Sequence, residues 1–405
     1  MKKWIQSLMS LVKPHDQDQG FIMSTYAPRP LTLVKGEGAR VWDDAGKSYL
    51  DFTTGIAVNI LGHCPNVIHD TLTAQSLQLL HCSNLFHNQP AIDLSKALIG
   101  KIGPGQVFFC NSGAEANEVL FKLARKFGHE EGRFEIITAN NSFHGRTFAG
   151  ISATGQEKVK KGFEPLVPGF KHVPFNDLDA IKAAKTDQTV AVHIEGIQGE
   201  GGIIPADPKF LIELRRWTKE NKILLLWDGV QCGQFRTGHF QSYTSILNEY
   251  PEGKDFLPDA IAMAKSLGGG IPIGAAWVAK PYQDVLGPGT HGCTYGGNPL
   301  SCAVALAVME EIDKKGYGPQ MIKHAKKMKD RLSGLVEQGR IVAVRGEGAM
   351  IGIELKGQLL ETRDKFMKKG LLVVPSANQT LRLLPPINVT GQEVEEALGI
   401  IEGNL

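Results

Sequence analysis

The amino-acid sequence predicts an α/β protein, with a mostly parallel central sheet in a large domain and a smaller α+β domain after it. Two observations carry this prediction. The middle of the chain alternates short apolar runs with helical patterns, as chains built from βαβ units do. Several of these runs are almost continuously apolar, which is expected of strands covered by helices on both faces. At 405 residues and 42% hydrophobic content, the chain is long enough for two cores.

Six apolar runs are the strand candidates of the large domain. The first, Gln106–Cys110, stops at Asn111-Ser112-Gly113, and a helical pattern follows from Ala114 to Phe127. Ligands bind beyond the carboxyl ends of the strands in such sheets. Polar residues directly after each run are therefore the first candidates for a site. The other five runs are Glu135–Thr138, Val190–Ile194, Ile223–Trp227, Ala260–Ala264 and Ile273–Ala279.

After Asn298-Pro299 the pattern changes, with a helical run over Leu300–Ile312 and a charged helix over Pro319–Gln338. We expect a large cofactor-binding domain at 49–300 and a small C-terminal domain at 301–405. Residues 1–48 are expected to pack on the small domain and to carry a hairpin of Leu31–Lys35 and Ala39–Asp43. The strands predicted for the small domain are Ile341–Arg345, Met350–Leu355, Leu371–Val374 and Thr380–Leu384.

Composition excludes several classes of protein. A formal net charge of +2 gives no electrostatic reason to expect nucleic acid or an anionic membrane as a partner. No apolar run is long enough to span a bilayer. The six cysteines form no CxxC pair, which predicts reduced thiols and a cytoplasmic protein. Met1–Lys13 has the spacing of a short amphipathic helix and lacks the features of a signal peptide, so a capping or dimer-contact role is expected.

Two charged residues stand at the ends of strongly apolar runs. Lys265 follows Ala260–Ala264 and precedes a Gly-rich loop; burial would depress its pKa and supply the free amine that a Schiff base requires. Asp228 ends the next run upstream, where a carboxylate could pair with a pyridinium nitrogen. Taken singly, Lys265 is better explained as a loop lysine that reaches solvent, and Asp228 could equally be a helix cap.

Three further motifs lie between a strand and a helix. Ser112, Gly113 and Ala114 open a helix, whose free N–H groups could bind a phosphate. Phe143 offers an aromatic face for a planar ring, and Arg146 offers a fork for a carboxylate. The Gly-rich turn at Cys293–Pro299 offers a hydroxyl and amides to a phosphate. Each motif has a commoner structural explanation when taken alone, so the order in which they occur together decides.

In that combination the chain resembles the class III aminotransferases of fold type I, in particular their acetylornithine-type branch, with ornithine-type ω-aminotransferases nearby. The similarity runs from about Tyr26 to the C-terminus. The motifs that carry it are Leu50–Val58, Asn111–Glu118, Phe143–Thr147, Glu195–Gly202, Asp228–Gln231 and Thr294–Pro299.

The resemblance implies pyridoxal 5'-phosphate as cofactor and a role for each matching residue. Lys265 would form the Schiff base and shuttle protons, and Asp228 would pair with the pyridine nitrogen. Phe143 and Val230 would cover the two ring faces. Gln231 would reach the ring hydroxyl, and the phosphate would be held by Ser112, Gly113 and Ala114. Thr294 would hold the phosphate of the cofactor in a neighbouring subunit. This last role implies a homodimer with shared sites.

For the substrates, the resemblance implies that Arg146 binds the α-carboxylate. Glu200 would mask Arg382 during the ω-amine half-reaction and free it for the α-carboxylate of 2-oxoglutarate. Cys293, directly before Thr294, would be a further substrate-binding residue. Three positions depart from the family pattern. Gly229 replaces a glutamate, Phe235 replaces a glycine, and Cys293 replaces a common serine.

The implied reaction moves the ω-amino group of N2-acetyl-L-ornithine to 2-oxoglutarate, giving N-acetylglutamate 5-semialdehyde and L-glutamate, a step of arginine biosynthesis. Ornithine, succinylornithine and 4-aminobutyrate are alternative donors. A protein that binds pyridoxal phosphate without turnover is an alternative of another class. A nicotinamide-dependent dehydrogenase is disfavoured, because no GxGxxG motif opens the first βα unit.

Overall fold

The computed structural model describes residues 21–26 and 30–405. The helix expected at Met1–Lys13 lies outside the described residues. Within the described part of the chain, no helix combines the length and the apolar character needed to cross a membrane.

A seven-stranded sheet forms the centre of the molecule, in the order β4-β12-β11-β10-β7-β5-β6. All neighbours in it are parallel except those of β12, which runs antiparallel to both β11 and β4. This confirms the mostly parallel sheet expected from the sequence. The strands are β1 Leu33–Glu37, β2 Arg40–Asp43, β3 Ser48–Asp51, β4 Gly105–Cys110, β5 Glu135–Ala139, β6 Phe170–Val173, β7 Thr189–Glu195, β8 Ile197–Gln198, β9 Ile204–Pro205, β10 Leu224–Asp228, β11 Ala260–Met263, β12 Gly274–Ala279, β13 Ala343–Glu347, β14 Met350–Glu354, β15 Leu371–Leu372, β16 Val374–Ser376 and β17 Thr380–Leu383.

Helices cover both faces of this sheet. Strands β7, β10, β11 and β12 are buried along their whole length, which is why their sequences are almost continuously apolar. The described α-helices are α1 Thr54–Ala57, α2 Asn66–Ser76, α3 Gln89–Ile102, α4 Gly113–Gly128, α5 Phe148–Ala153, α6 Leu178–Ala184, α7 Pro208–Glu220, α8 Ser242–Ile246, α9 Pro299–Lys315, α10 Tyr317–Glu337, α11 Leu359–Lys368 and α12 Gly391–Glu402.

Helix α4 shows how the sequence fixes this packing. Ser112 caps its N-terminus by accepting a hydrogen bond from the Glu115 backbone N–H at 3.2 Å. Leu120 and Leu123 are buried against the sheet, and a fully buried leucine contributes roughly 1.5–3 kcal/mol. The cap and the buried face together hold the first turn of α4 at the carboxyl end of β4.

Two four-stranded sheets flank the large one. One has the order β1-β2-β3-β15, and the other has the order β13-β14-β17-β16. The sequence predicts one strand over Leu371–Val374, and the structure corrects this. Leu371 pairs with β3 while Val374 pairs with β17, so the chain passes from one sheet to the other at Val373. Pro375 lies two residues after this point, and proline restricts the residue before it, Val374, to extended backbone.

The short α1 is a left-handed turn. Thr54, Gly55, Ile56 and Ala57 have φ values of 43°, 65°, 63° and 64°, a region that costs residues with a Cβ roughly 1–2 kcal/mol each. Tertiary hydrogen bonds hold the turn. The Thr54 hydroxyl donates to the Leu384 carbonyl at 2.9 Å, and the Ala57 carbonyl accepts from the Ser266 hydroxyl at 2.9 Å. The turn thereby lies beside Lys265.

Candidate active site

A cavity of about 400 Å³ opens at the carboxyl ends of β4, β7, β10 and β11, the edge of an α/β sheet at which ligands bind. Cys293 and Thr294 do not line it, and Arg382 lies behind its wall. The other residues predicted for the site all line it, namely Ser112, Gly113, Ala114, Phe143, Arg146, Glu200, Asp228, Val230, Gln231 and Lys265.

Asp228 lies on the floor of the cavity and is 3% exposed. Its Oδ2 accepts from His144 Nδ1 and from Asn117 Nδ2, both at 2.8 Å, and its Oδ1 accepts from the Val230 backbone N–H at 3.0 Å. Burial by itself would raise the pKa of Asp228, but the hydrogen bond from His144 and its charge outweigh burial and hold that pKa below its usual range. The floor of the cavity therefore carries a fixed negative charge.

Lys265 follows β11 in a left-handed conformation, with a φ of 46°. Its amine has no hydrogen-bond or ion-pair partner among residues 21–26 and 30–405. Burial lowers its pKa, and the attraction of Glu200 opposes this only in part. A cavity lysine with an unpartnered amine and a lowered pKa is available as a nucleophile and as a proton carrier.

The first turn of α4 forms one end of the cavity. Its backbone N–H groups at Gly113 and Ala114 precede the hydrogen bonds of the helix, and such groups bind anions. Glycine is needed at Gly113, because a Cβ there would lie 2.5 Å from Val230 Cγ1. Val230 can therefore approach this end of the cavity closely.

Glu200 and Arg382 form an ion pair at the opposite wall. Arg382 donates through both terminal nitrogens to the two Glu200 oxygens, the Nη2–Oε2 pair at 3.2 Å, and Nη1 also donates to Gln231 Oε1 at 3.2 Å. The Arg382 side chain is 2% exposed, whereas that of Glu200 is 29% exposed. Burial would raise the pKa of Glu200, but Arg382 holds that pKa below its usual range. Glu200 thus separates a charged arginine from the cavity.

Arg146 and Thr294 are both exposed. The Arg146 guanidinium lies 5.4 Å from the centre of the Phe143 ring and has no carboxylate partner in the described part of the chain. It can therefore donate hydrogen bonds to a substrate carboxylate. Thr294 follows Cys293, whose Sγ accepts a hydrogen bond from Asn111 Nδ2 at 3.1 Å. The structure therefore places this turn beside the cavity's phosphate end without bringing Thr294 into the cavity of its own chain.

Sequence reasoning assigned no role to several residues that line the cavity, and four of them are Val58, Asn117, His144 and Glu195. Glu195 accepts from the backbone N–H groups of Phe143 at 3.2 Å and Gly199 at 3.4 Å. Burial, and next the charge of Asp228, raise its pKa well above the usual range. All four stand inside the quoted motifs, but a motif does not show which of its side chains point into a cavity.

Two departures from the family pattern have a structural counterpart. At Gly229 a Cβ would lie 3.0 Å from Gln241 Oε1 and 3.2 Å from the Ala262 carbonyl oxygen, so neighbouring groups fill this position. Phe235 has a φ of 67°, the left-handed region in which a glycine would be relaxed. Its ring packs edge-on against Phe240 at 5.3 Å, and this packing offsets the strain.

The residues fit pyridoxal phosphate. A fixed carboxylate at Asp228 faces a cavity that also holds an unpartnered amine at Lys265. Glycines at Gly113 and Gly145 leave room between the wall and the phosphate end, because a Cβ at Gly145 would lie 2.9 Å from Ala114 Cβ. An acid for a ring nitrogen, an amine for an aldehyde and N–H groups for a phosphate are the donors that this cofactor requires.

Comparisons with known proteins identify the family of the chain. The family model for class-III aminotransferases matches residues 22–405. The acetylornithine aminotransferase of Caldanaerobacter subterraneus is 44% identical over 95% of this chain and 97% of its own length. The N-acetylornithine aminotransferase of Stenotrophomonas maltophilia has a TM-score of 0.80 at 33% identity and covers 94% of this chain, with 97% of its own.

A third relative links the fold to the cofactor. The ornithine aminotransferase of Toxoplasma gondii, in a structure with pyridoxal phosphate at partial occupancy in its active site, has a TM-score of 0.90 at 28% identity. The match covers 100% of this chain and 97% of that one.

Proposed function

The chain belongs to the class-III aminotransferases and is a transaminase dependent on pyridoxal phosphate, and from this premise we propose that it transfers the ω-amino group of N2-acetyl-L-ornithine to 2-oxoglutarate. The products are N-acetylglutamate 5-semialdehyde and L-glutamate, in arginine biosynthesis. The observation that carries this choice is the screened Arg382 opposite the open Arg146. Similarity to relatives named acetylornithine aminotransferase at 40–44% identity supports the donor.

The cavity residues divide the chemistry between them. When bound, pyridoxal phosphate supplies an aldehyde that takes up an amine and a ring that withdraws electrons from the carbon attached to it. Asp228 would keep the ring nitrogen protonated. Lys265 would hold the aldehyde end of the cofactor, and its amine would carry a proton from the substrate carbon and back to it. Phe143 and Val230 would lie on the two faces of the ring, and Gln231 would bind the ring hydroxyl.

Two arginines orient the substrates. Arg146 forks the α-carboxylate of the amino donor, so that the distant ω-amine reaches the ring. Arg382 stays paired with Glu200 in that half-reaction, because a bare arginine there would bind the donor's α-carboxylate and present the α-amine instead. When 2-oxoglutarate enters, its α-carboxylate would take the place of Glu200 on Arg382. Glu200 can move aside because its side chain, unlike that of Arg382, is partly exposed.

We also propose a homodimer with shared active sites. Large apolar side chains are exposed on two segments, residues 77–86 and the turn at Thr294: Leu77 is 84% exposed, Leu85 81%, Phe86 70% and Tyr295 63%. Asn84 joins these two segments, since its amide donates to the Cys293 carbonyl at 2.9 Å. An exposed apolar patch of this kind marks an interaction surface. Thr294 lies within this patch, where its hydroxyl would reach the phosphate of the cofactor bound by the partner subunit.

Subunit mixing tests the shared site. A Lys265→Ala chain and a Thr294→Glu chain are each expected to be inactive, the second because a carboxylate repels the partner's phosphate. A dimer containing one chain of each kind would have one intact site, since Lys265 and Thr294 come from different chains. Activity regained on refolding the two variants together supports the proposal. If the mixture stays inactive although mixed dimers form, the site is not shared.

We also propose a division into domains and a location. The Lys47 amine donates to the Lys368 carbonyl at 2.8 Å, and Arg40 forms an ion pair with Glu396. These contacts support packing of residues 1–48 on a small domain at 301–405, apart from a large domain at 49–300. Six free cysteines suit the reducing cytoplasm.

A donor panel tests the substrate. Purified enzyme with 2-oxoglutarate is given N2-acetyl-L-ornithine, ornithine, succinylornithine or 4-aminobutyrate, and glutamate formation is measured. We expect the highest kcat/KM with the acetylated donor. A higher value with ornithine or 4-aminobutyrate would overturn the proposed substrate while leaving the assignment as a transaminase unchanged.

A second experiment tests the lysine. Borohydride reduction followed by peptide mapping should place the pyridoxyl group on Lys265. A pyridoxyl group on another lysine would overturn that assignment.

A further inference from the structure

A pair of histidine rings lies directly behind Asp228. His193, on β7, is 0% exposed, and its ring centre lies 4.3 Å from that of His144 at an interplanar angle of 50°. Phe121 of α4 closes the far side, edge-on to His193 at 5.2 Å. His144 lines the cavity, whereas His193 does not. His193 can therefore act on the cavity only through His144.

The hydrogen bonds of His144 leave one ring atom without a partner. Nδ1 lies 2.8 Å from Asp228 Oδ2 and must carry the proton of that bond, because a carboxylate can only accept. The backbone N–H of His144 donates to Thr154 Oγ1 at 2.9 Å, and its carbonyl accepts from Asn117 Nδ2 at 3.0 Å. His144 Nε2 is buried and has no hydrogen-bond partner in the described part of the chain.

Both ring nitrogens of His193 are also buried without a hydrogen-bond partner among the described residues. The backbone of Leu226, on the neighbouring strand, faces the ring but lies outside hydrogen-bond geometry. An unpaired buried polar atom costs roughly 1–3 kcal/mol. Unpaired nitrogens concentrated on two touching rings therefore call for an explanation.

His193 is placed to accept a hydrogen bond. Burial, and next the neighbouring His144, hold the pKa of His193 well below its usual range, so the ring is neutral and keeps a lone pair at neutral pH. One nitrogen of each histidine and a carboxylate oxygen of Asp228 lie within 4.8 Å of one another. Such a spacing can be bridged by one buried water, which requires two to four polar partners.

We propose that His193 is a positioning residue that accepts, through one bridging water, a hydrogen bond from Nε2–H of His144, so that His144 faces Asp228 with both of its nitrogens protonated. Asp228 then shares its charge between a positive His144 and the protonated nitrogen of the cofactor ring. His193 in this way moderates how strongly Asp228 draws that ring proton. The proposal rests on the cofactor site alone and not on the choice of amino donor.

A metal ion is a less suitable occupant of the same cluster. Both oxygens of Asp228 are already engaged, Oδ1 by the Val230 N–H and Oδ2 by two donors. A cation would have to displace the bond from His144 Nδ1 to gain the carboxylate. A shared proton requires no such rearrangement.

Nitrogen-15 NMR of histidine-labelled, cofactor-free enzyme tests the proposal near neutral pH. In the unchanged protein, His144 is expected to show two protonated nitrogens. In His193→Leu, which removes the acceptor, His144 should show one protonated nitrogen, at Nδ1. His193→Gln, whose amide oxygen can accept, should restore the second proton. A His144 that is neutral in the unchanged protein, or doubly protonated in His193→Leu, would overturn the proposal.

Phe121→Leu is the matched control, because Phe121 packs on His193 without contributing a polar atom. It should lower the melting temperature and leave the protonation of His144 unchanged. In the holoenzyme, His193→Leu should shift the absorption maximum of the bound cofactor and change its dissociation constant about three- to tenfold, the value of one hydrogen bond. If Phe121→Leu reproduces both changes, or if dialysed enzyme retains one equivalent of zinc that His193→Leu loses, the proposal fails.

Discussion

Two buried regions of the molecule hold charge in different ways. The titratable groups of the cavity (Asp228, Glu195, Glu200 and Lys265) lie together in front of Arg382, and neighbouring charges act on the pKa values of Glu195, Glu200 and Lys265. The second region surrounds Arg236, which is 0% exposed and has no carboxylate partner in the described part of the chain. It donates instead to the Pro385 carbonyl at 2.6 Å, the Ala349 carbonyl at 3.5 Å and the Thr54 hydroxyl at 3.5 Å.

The two kinds of partner suit two kinds of arginine. Arg382 must exchange its partner during the proposed reaction, whereas Arg236 must keep its partners. A carboxylate such as Glu200 can be replaced by a substrate carboxylate, so an arginine paired with it can exchange its partner. Carbonyl groups belonging to the folded backbone cannot leave, so Arg236 ties the Thr54 turn to two segments near the C-terminus. Burial lowers the pKa of Arg236 to about 9, which still leaves it charged at neutral pH.

The largest effect is expected from removing a cavity charge. Asp228→Ala should lower kcat/KM by about 10³-fold, because the ring nitrogen loses the group that keeps it protonated. Asp259 is a matched control: it is 4% exposed and is held by two hydrogen bonds from Arg215, at 2.7 and 2.8 Å. Asp259→Ala should lower the melting temperature with little loss of turnover. Near-normal turnover in Asp228→Ala would make Asp228 a structural cap.

The next largest effect is a loss of stability when Arg236 is replaced. Arg236→Met should lower the free energy of unfolding by about 3 kcal/mol, since buried carbonyl groups lose a charged donor. Arg382→Met should cost less than half as much stability, because Glu200 is partly exposed and water can solvate it, yet should lose more turnover. Urea denaturation and steady-state kinetics of both variants provide the test. The distinction fails if the two variants lose stability and turnover in the same proportion.

A smaller effect separates the two half-reactions. Arg382→Ala should slow the half-reaction with 2-oxoglutarate about 30-fold more than that with the amino donor, as expected from roughly 2 kcal/mol for a buried charge contact. Glu200→Ala should favour α-transamination of glutamate and weaken the ω-amine half-reaction. Single-turnover kinetics measures each half separately. Equal slowing of both halves in both variants would mean that Glu200 and Arg382 are only a structural ion pair.

The smallest effect is a change in pH dependence. The pKa of Glu195 is raised well above its ordinary value of 4.5, so above pH 4.5 the folded protein keeps a proton that the unfolded chain releases. Stability contributed by this group is therefore lost as pH rises through that window, by about 1.4 kcal/mol per pH unit. Urea denaturation of cofactor-free Glu195→Gln should show a weaker decline between pH 5 and 8. Parallel declines in both proteins would contradict this.

The sequence predicts best those residues whose position follows from chain order. Asp228 and Lys265 come at the ends of apolar strands, so the parallel sheet places both at one edge. His193 could not be found this way: it stands within the apolar run Val190–Ile194, and nothing in the run shows that its ring meets His144. Strand β6 was missed because Phe170–Val173 contains a lysine and a histidine and is mostly half-buried, so it lacks an apolar pattern.

The left-handed turn at Thr54–Ala57 has a consequence for the order of folding. Its unfavourable backbone is stabilised by the bond from Thr54 to Leu384, two residues 330 positions apart in the chain. A nascent chain whose Leu384 has not yet left the ribosome lacks that bond. We expect the turn, and with it the wall beside Lys265, to take shape only after that segment has emerged. The cofactor would thus be captured by chains synthesised past Leu384 and not by shorter ones.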